Sequence, residues 1–369
     1  MKIALVHDWL TGMRGGERCL EQFCRMFPDA DIFTLFHFKG SVSPVIERHS
    51  IKTSFLQGFP FIKKHYRNYL PLFPMAIESF KLEGYDLIIS SSHCVAKGIL
   101  FNPEAFHVSY CFTPTRYIWD RRYDYFGGVG RIKGAVIPLV LHYLRMWDVT
   151  ATSRVSHFIA ISEYVRKRIR TFYNRDAAVI YPPVDCDRFR PSGSVGDYYL
   201  LVSAFAPYKK LDQAILAFNK LGRRLLVVGS GQEEKRLKSI SGGNIEFLGW
   251  VPEEELAGLY AGCRALIFPG VEDFGLVPVE VQAAGRPVIA YGKGGALESV
   301  IPFKDRNAPG TGLFFKQQTP LAIIEAVEAF ERVEEHFSPG TIRENAMRFD
   351  VKKFREEFKK YIDGIVRQR

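Results

Sequence analysis

A chain of 369 residues with 47% hydrophobic and 24% charged residues has the make-up of a globular protein with room for two domains, which excludes disordered and collagen-like classes. Its net charge of +10 lies almost wholly in residues 1–180, so an anionic partner is expected for that half: a bilayer surface, a diphosphate or nucleic acid. The six cysteines form no C-x-x-C pair and have no histidine at metal-ligand spacing, which argues against a zinc site or a disulfide framework and for buried thiols in a reducing compartment.

Residues 2–7 are rich in β-branched side chains and read as a strand; the start turns polar too soon for a signal-peptide core, so a cytosolic protein is expected. Residues 11–17, with Gly12, Gly15 and Gly16, read as a turn opening a helix that carries Leu20, Phe23 and Met26 on one face. The G-x-x-G-G spacing is not the dinucleotide fingerprint G-x-G-x-x-G, so a phosphate-admitting loop and a structural turn both stay open. Further strands are expected at 31–36, 85–91, 107–114 and 158–162, the last closing the first half. Ser162 and Glu163 begin a helix with Val165 and Ile169 facing inward and Arg166, Lys167, Arg168 and Arg170 facing out.

Between residues 55 and 147 the cations Lys63, Lys64, Arg67, Arg116, Arg121, Arg122, Arg131 and Lys133 alternate with Phe59, Phe61, Tyr66, Tyr69, Phe73, Tyr117, Trp119, Tyr123, Tyr125 and Phe126. This interleaving fits a surface that meets anionic lipid head groups; the competing reading is a solvated face over an aromatic core. No helix-turn-helix, finger or RNP-like motif accompanies the charge, so no nucleic-acid partner is expected. The longest apolar run, 134–141, contains Pro138 and falls far short of the roughly 20 residues a bilayer span needs.

Pro182-Pro183-Val184 and the Pro/Gly-containing polar stretch after it mark a boundary, giving an N-terminal domain over 1–181 and a second over 182–348. Asp185-Cys186-Asp187 has the D-x-D form of a metal-diphosphate grip, yet it sits in a connector rather than at a strand end, and no metal is expected. In the second domain strands at 199–202, 224–228, 245–248, 265–268 and 288–290 alternate with helices after Lys210, Gln232, Pro252, Val277 and Glu298, the pattern of a doubly wound parallel sheet. Residues 349–369 place Phe354, Phe358, Tyr361, Ile362 and Ile365 at helical spacing, a stripe expected to pack back on the N-terminal domain.

Ligands in such sheets bind at the carboxyl ends of the strands. There the sequence places Pro207-Tyr208-Lys209-Lys210, Gly229-Ser230-Gly231, Gly249-Trp250-Val251 and the run from Glu272 to Glu280. Glu272 on the loop and Glu280 inside the following helix could hold opposite ends of one elongated ligand. Between them the amides of Phe274, Gly275 and Leu276 open a helix, where oxyanions are favoured. Lys209 could neutralise a leaving diphosphate. The segment reads as a cradle for a sugar nucleotide.

The order Gly229-Ser230-Gly231, Phe247-Leu248-Gly249-Trp250-Val251, Glu272 through Glu280, Gly285-Arg286-Pro287-Val288-Ile289-Ala290 and Gly294-Gly295 resembles the donor domain of glycosyltransferase family 4, most of all its mannosyltransferase-type enzymes of bacterial surface-polysaccharide assembly. The resemblance implies the α/β GT-B fold, two doubly wound Rossmann-like domains facing each other across a cleft, and a retaining, metal-independent hexosyltransferase. It implies that Glu272 touches the transferred sugar and Glu280 the ribose. Lys209, with Lys210 or Arg14 in support, would hold the diphosphate beside the amides of Phe274, Gly275, Leu276 and Val277. The base would lie near Gly249, Trp250 and Val251, and Gly12, Gly15 and Gly16 would form the glycine loop on the other domain. The implied donor is a sugar nucleotide, GDP-mannose above others, with no further cofactor. The implied acceptor is a lipid-linked oligosaccharide at the anionic inner face of the cell membrane. The alternatives are an epimerase or hydrolase on the same fold, or a catalytically lapsed membrane scaffold.

Two departures from the family pattern stand out. Ser203-Ala204-Phe205 occupies the place of a common arginine, and Phe112 that of a histidine, leaving His93 and His107 as the nearby imidazoles. Front-face attack, in which the departing phosphate takes the acceptor's proton, tolerates the second change.

Overall fold

The computed structural model describes residues 1–120, 131–305 and 310–367. The chain forms two units, one of Met1–Tyr181 with Glu357–Arg369 and one of Pro182–Glu356.

The first unit is built on seven described strands: β1 Ile3–His7, β2 Asp31–Thr34, β3 Ile51–Thr53, β4 Leu87–Ser92, β5 Phe106–Cys111, β6 His157–Ala160 and β7 Ala177–Val179. They are all parallel, in the order β3-β2-β1-β4-β5-β6-β7. β4 and β5 are buried along nearly their whole length, as strands covered on both faces must be. β6 does not close the half as its sequence suggests, because the short Ala177-Ala178-Val179 run pairs along it as a seventh strand. β3 is likewise too short and too polar to stand out by pattern.

The segment from Phe55 to Glu78 folds into short helical turns whose aromatics mostly face inward. Phe73 is buried, and Phe59, Tyr66 and Tyr69 pack against the same core. For these rings the aromatic core is the reading that holds, with Phe61 and Phe55, 77% and 43% exposed, as the outlying ones. Arg121, Arg122, Tyr123, Tyr125 and Phe126, together with the side chains of Arg131 and Lys133, lie outside the described residues. A second correction concerns Arg168. Although it belongs to a basic run on the Glu163–Tyr173 helix, it is buried, bonded to Asp120 and to the Pro114 carbonyl at 3.3 Å, because Asp120 repays its desolvation. Phe358, near the chain end, packs its ring 4.6 Å from Phe23 in this unit.

The second unit has six described strands: β8 Tyr199–Val202, β9 Leu225–Val228, β10 Ile245–Gly249, β11 Leu266–Phe268, β12 Val288–Tyr291 and β13 Gly312–Phe315. These too are parallel, in the order β10-β9-β8-β11-β12-β13. The helix expected after Glu298 is instead the short Ala296–Ser299 turn, stopped by extended Val300 and by Pro302. β13 and the helices Pro320–Glu331 and Pro339–Met347 complete the unit beyond the pattern read from sequence. Its core joins Tyr199, Phe218, Ile267, Ile289 and Phe330. In each sheet the strand order reverses beside the first strand, between β1 and β4 and between β8 and β11. Such a reversal opens a crevice at the carboxyl ends.

Candidate active site

In the second unit the two strands flanking the reversal are β8 and β11, and the loops that follow them carry Lys209 and Glu272. The two side chains meet as an ion pair, each less than a fifth exposed. The backbone enforces the meeting. Pro207–Lys209 forms one helical turn, and Gly270 packs against the Lys209 backbone, where a Cβ would sit 3.2 Å from its carbonyl oxygen. Lys210 follows with φ 56°, a left-handed conformation that costs a side-chain-bearing residue roughly 1–2 kcal/mol, and it leads directly into the Leu211–Leu221 helix. The Lys210 side chain is exposed.

Glu272 is held by a second loop. Gly295 donates its N–H to the Glu272 carbonyl at 3.0 Å, and any Cβ at Gly295 would collide with the Phe274 backbone. Phe274 itself is buried against Phe349. Gly275 caps the Leu276–Ala283 helix, so the amides of Leu276 and Val277 open its first turn. Glu280 lies one turn further in, 8% exposed, and accepts a hydrogen bond of 2.8 Å from the Tyr260 hydroxyl. Tyr260 is a site contact that sequence reading missed; its helix has no motif of its own.

Gly229 and Gly231 end β9 against the Ser203–Phe205 backbone. At Gly229, φ 129°, a Cβ would overlap the Ser203 carbonyl, so only glycine lets the two loops touch. The Gly229 amide also donates to the Gly249 carbonyl at 2.8 Å, which joins the ends of β9 and β10. Val251 is buried, whereas Trp250 is 78% exposed. Asp187 of the connector lies 3.4 Å from Lys352 and 3.9 Å from Arg343, and Asp185 lies 4.0 Å from Arg188, so both acids of the D-x-D sequence face cations.

The first unit repeats the construction with other residues. β1 ends in His7, with Asp8 directly after it, and β4 runs into His93. Asp8 is fully buried, and its carboxylate accepts the amides of His93, Cys94, Val95 and Ala96 at 2.7–3.0 Å as well as His93 Nδ1 at 2.9 Å. Burial favours protonation, but the His93 contacts outweigh it and hold the carboxyl well below its usual range. Burial likewise depresses His93, and the Asp8 charge and hydrogen bond together with Glu17 overcome it, so the imidazole is raised. His7 is buried against Ser91 at 2.7 Å, and desolvation lowers it to about 4. Gly12, Gly15 and Gly16 lie on the turn between β1 and the Gly15–Met26 helix, and a Cβ on Gly16 would come 3.4 Å from the His7 ring. Arg14 caps that helix, its amide bonded to Glu17 at 3.0 Å. His107, by contrast, is enclosed, with Nε2 on Ser90 at 2.8 Å, and burial lowers it to about 3.

Two parallel, doubly wound Rossmann-like sheets make up the α/β fold of the GT-B class. Family models match the chain over residues 13–188, described as Glycosyltransferase Family 4, and over 190–346, described as Glycosyl transferases group 1. The chain belongs to the family-4 type of glycosyltransferases. It is 29% identical over 207 residues to an uncharacterized glycosyltransferase of Methanocaldococcus jannaschii, covering 55% of this chain and 56% of that one. It is 30% identical over 172 residues to a GDP-mannose-dependent α-(1-6)-phosphatidylinositol monomannoside mannosyltransferase of Mycobacterium tuberculosis, covering 38% and 45%. The chain spans about half the length of these curated relatives. Among solved structures, Anabaena Alr3699/HepE in complex with UDP superposes with a TM-score of 0.71 at 16% identity, over 99% of this chain and 100% of that one.

Proposed function

We propose that the protein transfers a hexose with retention of configuration, mannose from GDP-mannose, to a glycan on a membrane-embedded lipid carrier. The observation that carries this reading is the Lys209–Glu272 pair at the sheet reversal of the second unit. An arriving sugar nucleotide exchanges that internal pair for two external ones: the ammonium takes the diphosphate and the carboxylate takes hydroxyls of the sugar. The amides of Phe274, Gly275, Leu276 and Val277 add donors for the phosphate oxygens, and Glu280 is left for the ribose. Charge that builds on the leaving diphosphate is met by Lys209 in place of a metal. The relative from Mycobacterium tuberculosis, named as a GDP-mannose-dependent mannosyltransferase, supports mannose over other hexoses.

The lipid-linked acceptor is supported by one face of the Arg131–Thr152 helix. Val136, Leu139, Tyr143, Met146 and Val149 are exposed at helical spacing, while Leu141 and Leu144 pack inward against Leu70. Leu70 belongs to the segment that presents exposed Lys63, Lys64 and Arg67, so an apolar stripe borders a basic strip, the combination that suits the inner face of an anionic bilayer. Among the described residues no helix is long and apolar enough to cross a membrane, so contact through this face would be peripheral.

The test is incubation of the full chain with a panel of sugar nucleotides, with and without a lipid-linked glycan, in the presence of anionic vesicles. The expected product is an extended glycan that depends on GDP-mannose. Free sugar or an epimer alone would instead mark a hydrolase or epimerase.

A further inference from the structure

Phe61 combines two properties that seldom meet in one residue. Its backbone is left-handed, at φ 55°, and its ring is 77% exposed. Glycine and asparagine adopt that backbone readily, whereas a bulky side chain is strained in it, and contacts within the fold ordinarily offset such strain. A ring so exposed has few such contacts. The turn that presents it is nonetheless held fast. The Tyr69 hydroxyl donates to the Pro60 carbonyl at 2.7 Å, and the Phe61 carbonyl accepts the amides of Lys64 at 3.0 Å and His65 at 2.9 Å. Ile62, the next residue, is buried, so the left-handed step sends one side chain into the core and its neighbour into solvent. The charge around this tip has one sign: Lys63, Lys64 and Arg67 are exposed, and residues 48–77 contain neither Asp nor Glu to neutralise them.

We propose that Phe61 is a membrane-inserting residue, its ring entering the interfacial layer of an anionic bilayer while Lys63, Lys64 and Arg67 meet the phosphate head groups. This rests on the peripheral-membrane reading above and gives it a point of entry besides the Arg131–Thr152 helix, within the same unit. An apolar ring gains from leaving water at that depth, and each nearby cation adds attraction to an acidic leaflet. The fixed turn matters, because a ring already held outward loses little conformational freedom on insertion. Phe61 is then neutral or adverse for folding and favourable only at a surface, which separates it from an ordinary core phenylalanine.

The experiment is cosedimentation of the full chain with mixed phosphatidylcholine–phosphatidylglycerol vesicles and with pure phosphatidylcholine vesicles, with thermal unfolding alongside. The proteins are the wild type, Phe61→Gly, Phe61→Trp and the double variant Lys63→Glu/Lys64→Glu. Phe61→Gly should bind the mixed vesicles about tenfold more weakly. Its unfolding midpoint should stay level or rise, because glycine accepts the left-handed backbone. Phe61→Trp should keep wild-type affinity and show more fluorescence quenching than the wild type by lipids brominated along their acyl chains. The double variant should lose the preference for mixed over pure phosphatidylcholine vesicles. If the wild type binds the mixed vesicles and Phe61→Gly binds them equally, or Phe61→Trp gains no quenching, the assignment is overturned and peripheral contact stands on the helix alone. A lower unfolding midpoint for Phe61→Gly would return the ring to the fold, and wild-type self-association lost in that variant would give it to a second copy; either overturns the assignment. If the wild type binds neither kind of vesicle, the membrane reading itself falls, and this assignment with it.

Discussion

The crevices of the two units are the same piece of topology put to different use. In each, the loops after the first and fourth strands of the unit oppose one cation and one carboxylate. In the second unit both partners are long side chains on separate loops. In the first, Asp8 is a short side chain sealed by four amides, so the acid belongs to the scaffold and only the imidazole faces outward. The difference teaches that charged pairs at like points of two sheets need not be held alike: the hydrogen bonds behind each partner tell which one belongs to the scaffold.

The sharpest way to break this contrast is to remove one member of each pair in turn. Asp8→Ala leaves buried amides unpaired and should destabilise the first unit by about 4 kcal/mol or more, at roughly 1–3 kcal/mol for each unsatisfied group. Chemical denaturation should show the loss in one of two transitions; an unshifted midpoint would deny Asp8 its scaffold role. Lys209→Ala should do the reverse, lowering turnover about 10²-fold or more with little change in unfolding temperature. Unchanged turnover would remove Lys209 from the mechanism.

Acidity offers a gentler separation. His7 and His107 are buried and neutral, with folded values of about 4 and 3, so between pH 6.5 and 4.5 the unfolded chain binds protons that the fold refuses. Their contribution is fully present above 6.5 and is lost as pH falls, by at most about 1.4 kcal/mol per pH unit for each histidine. His93, raised above its ordinary value, opposes them. The second unit contains one histidine, His336. Calorimetry from pH 7.5 to about 4.5 should therefore lower the transition of the first unit more than that of the second. The smallest effect is expected from Tyr260→Phe, which strips one hydrogen bond from Glu280 and should weaken donor binding about fivefold, near 1 kcal/mol. Titration with GDP-mannose would measure it.

The loops that carry Lys209, Glu272 and Glu280 were legible because their signals are local. Lys209, Glu272 and Glu280 sit at fixed offsets from Pro, Gly and apolar runs, and the glycines that let loops touch are themselves letters of the motif. The acid-imidazole pair was not, because Asp8 and His93 are joined only when β1 and β4 become neighbours, and neither residue differs in sequence from an ordinary strand-end polar group. Arg168 was misplaced for the same reason: a helical wheel cannot foresee that Asp120 will come to meet it. β7 and β13 escaped notice because short, mixed runs gain their strand character from a neighbour's edge.

The close fit of Gly295 over Phe274 carries one more implication. With the Glu272 loop riveted to its neighbour through main-chain atoms, the path of that loop is not available for adaptation. A descendant protein that came to prefer another ligand at this loop would have to do so by exchanging side chains around an unmoving rail, and Gly295 would persist through the change.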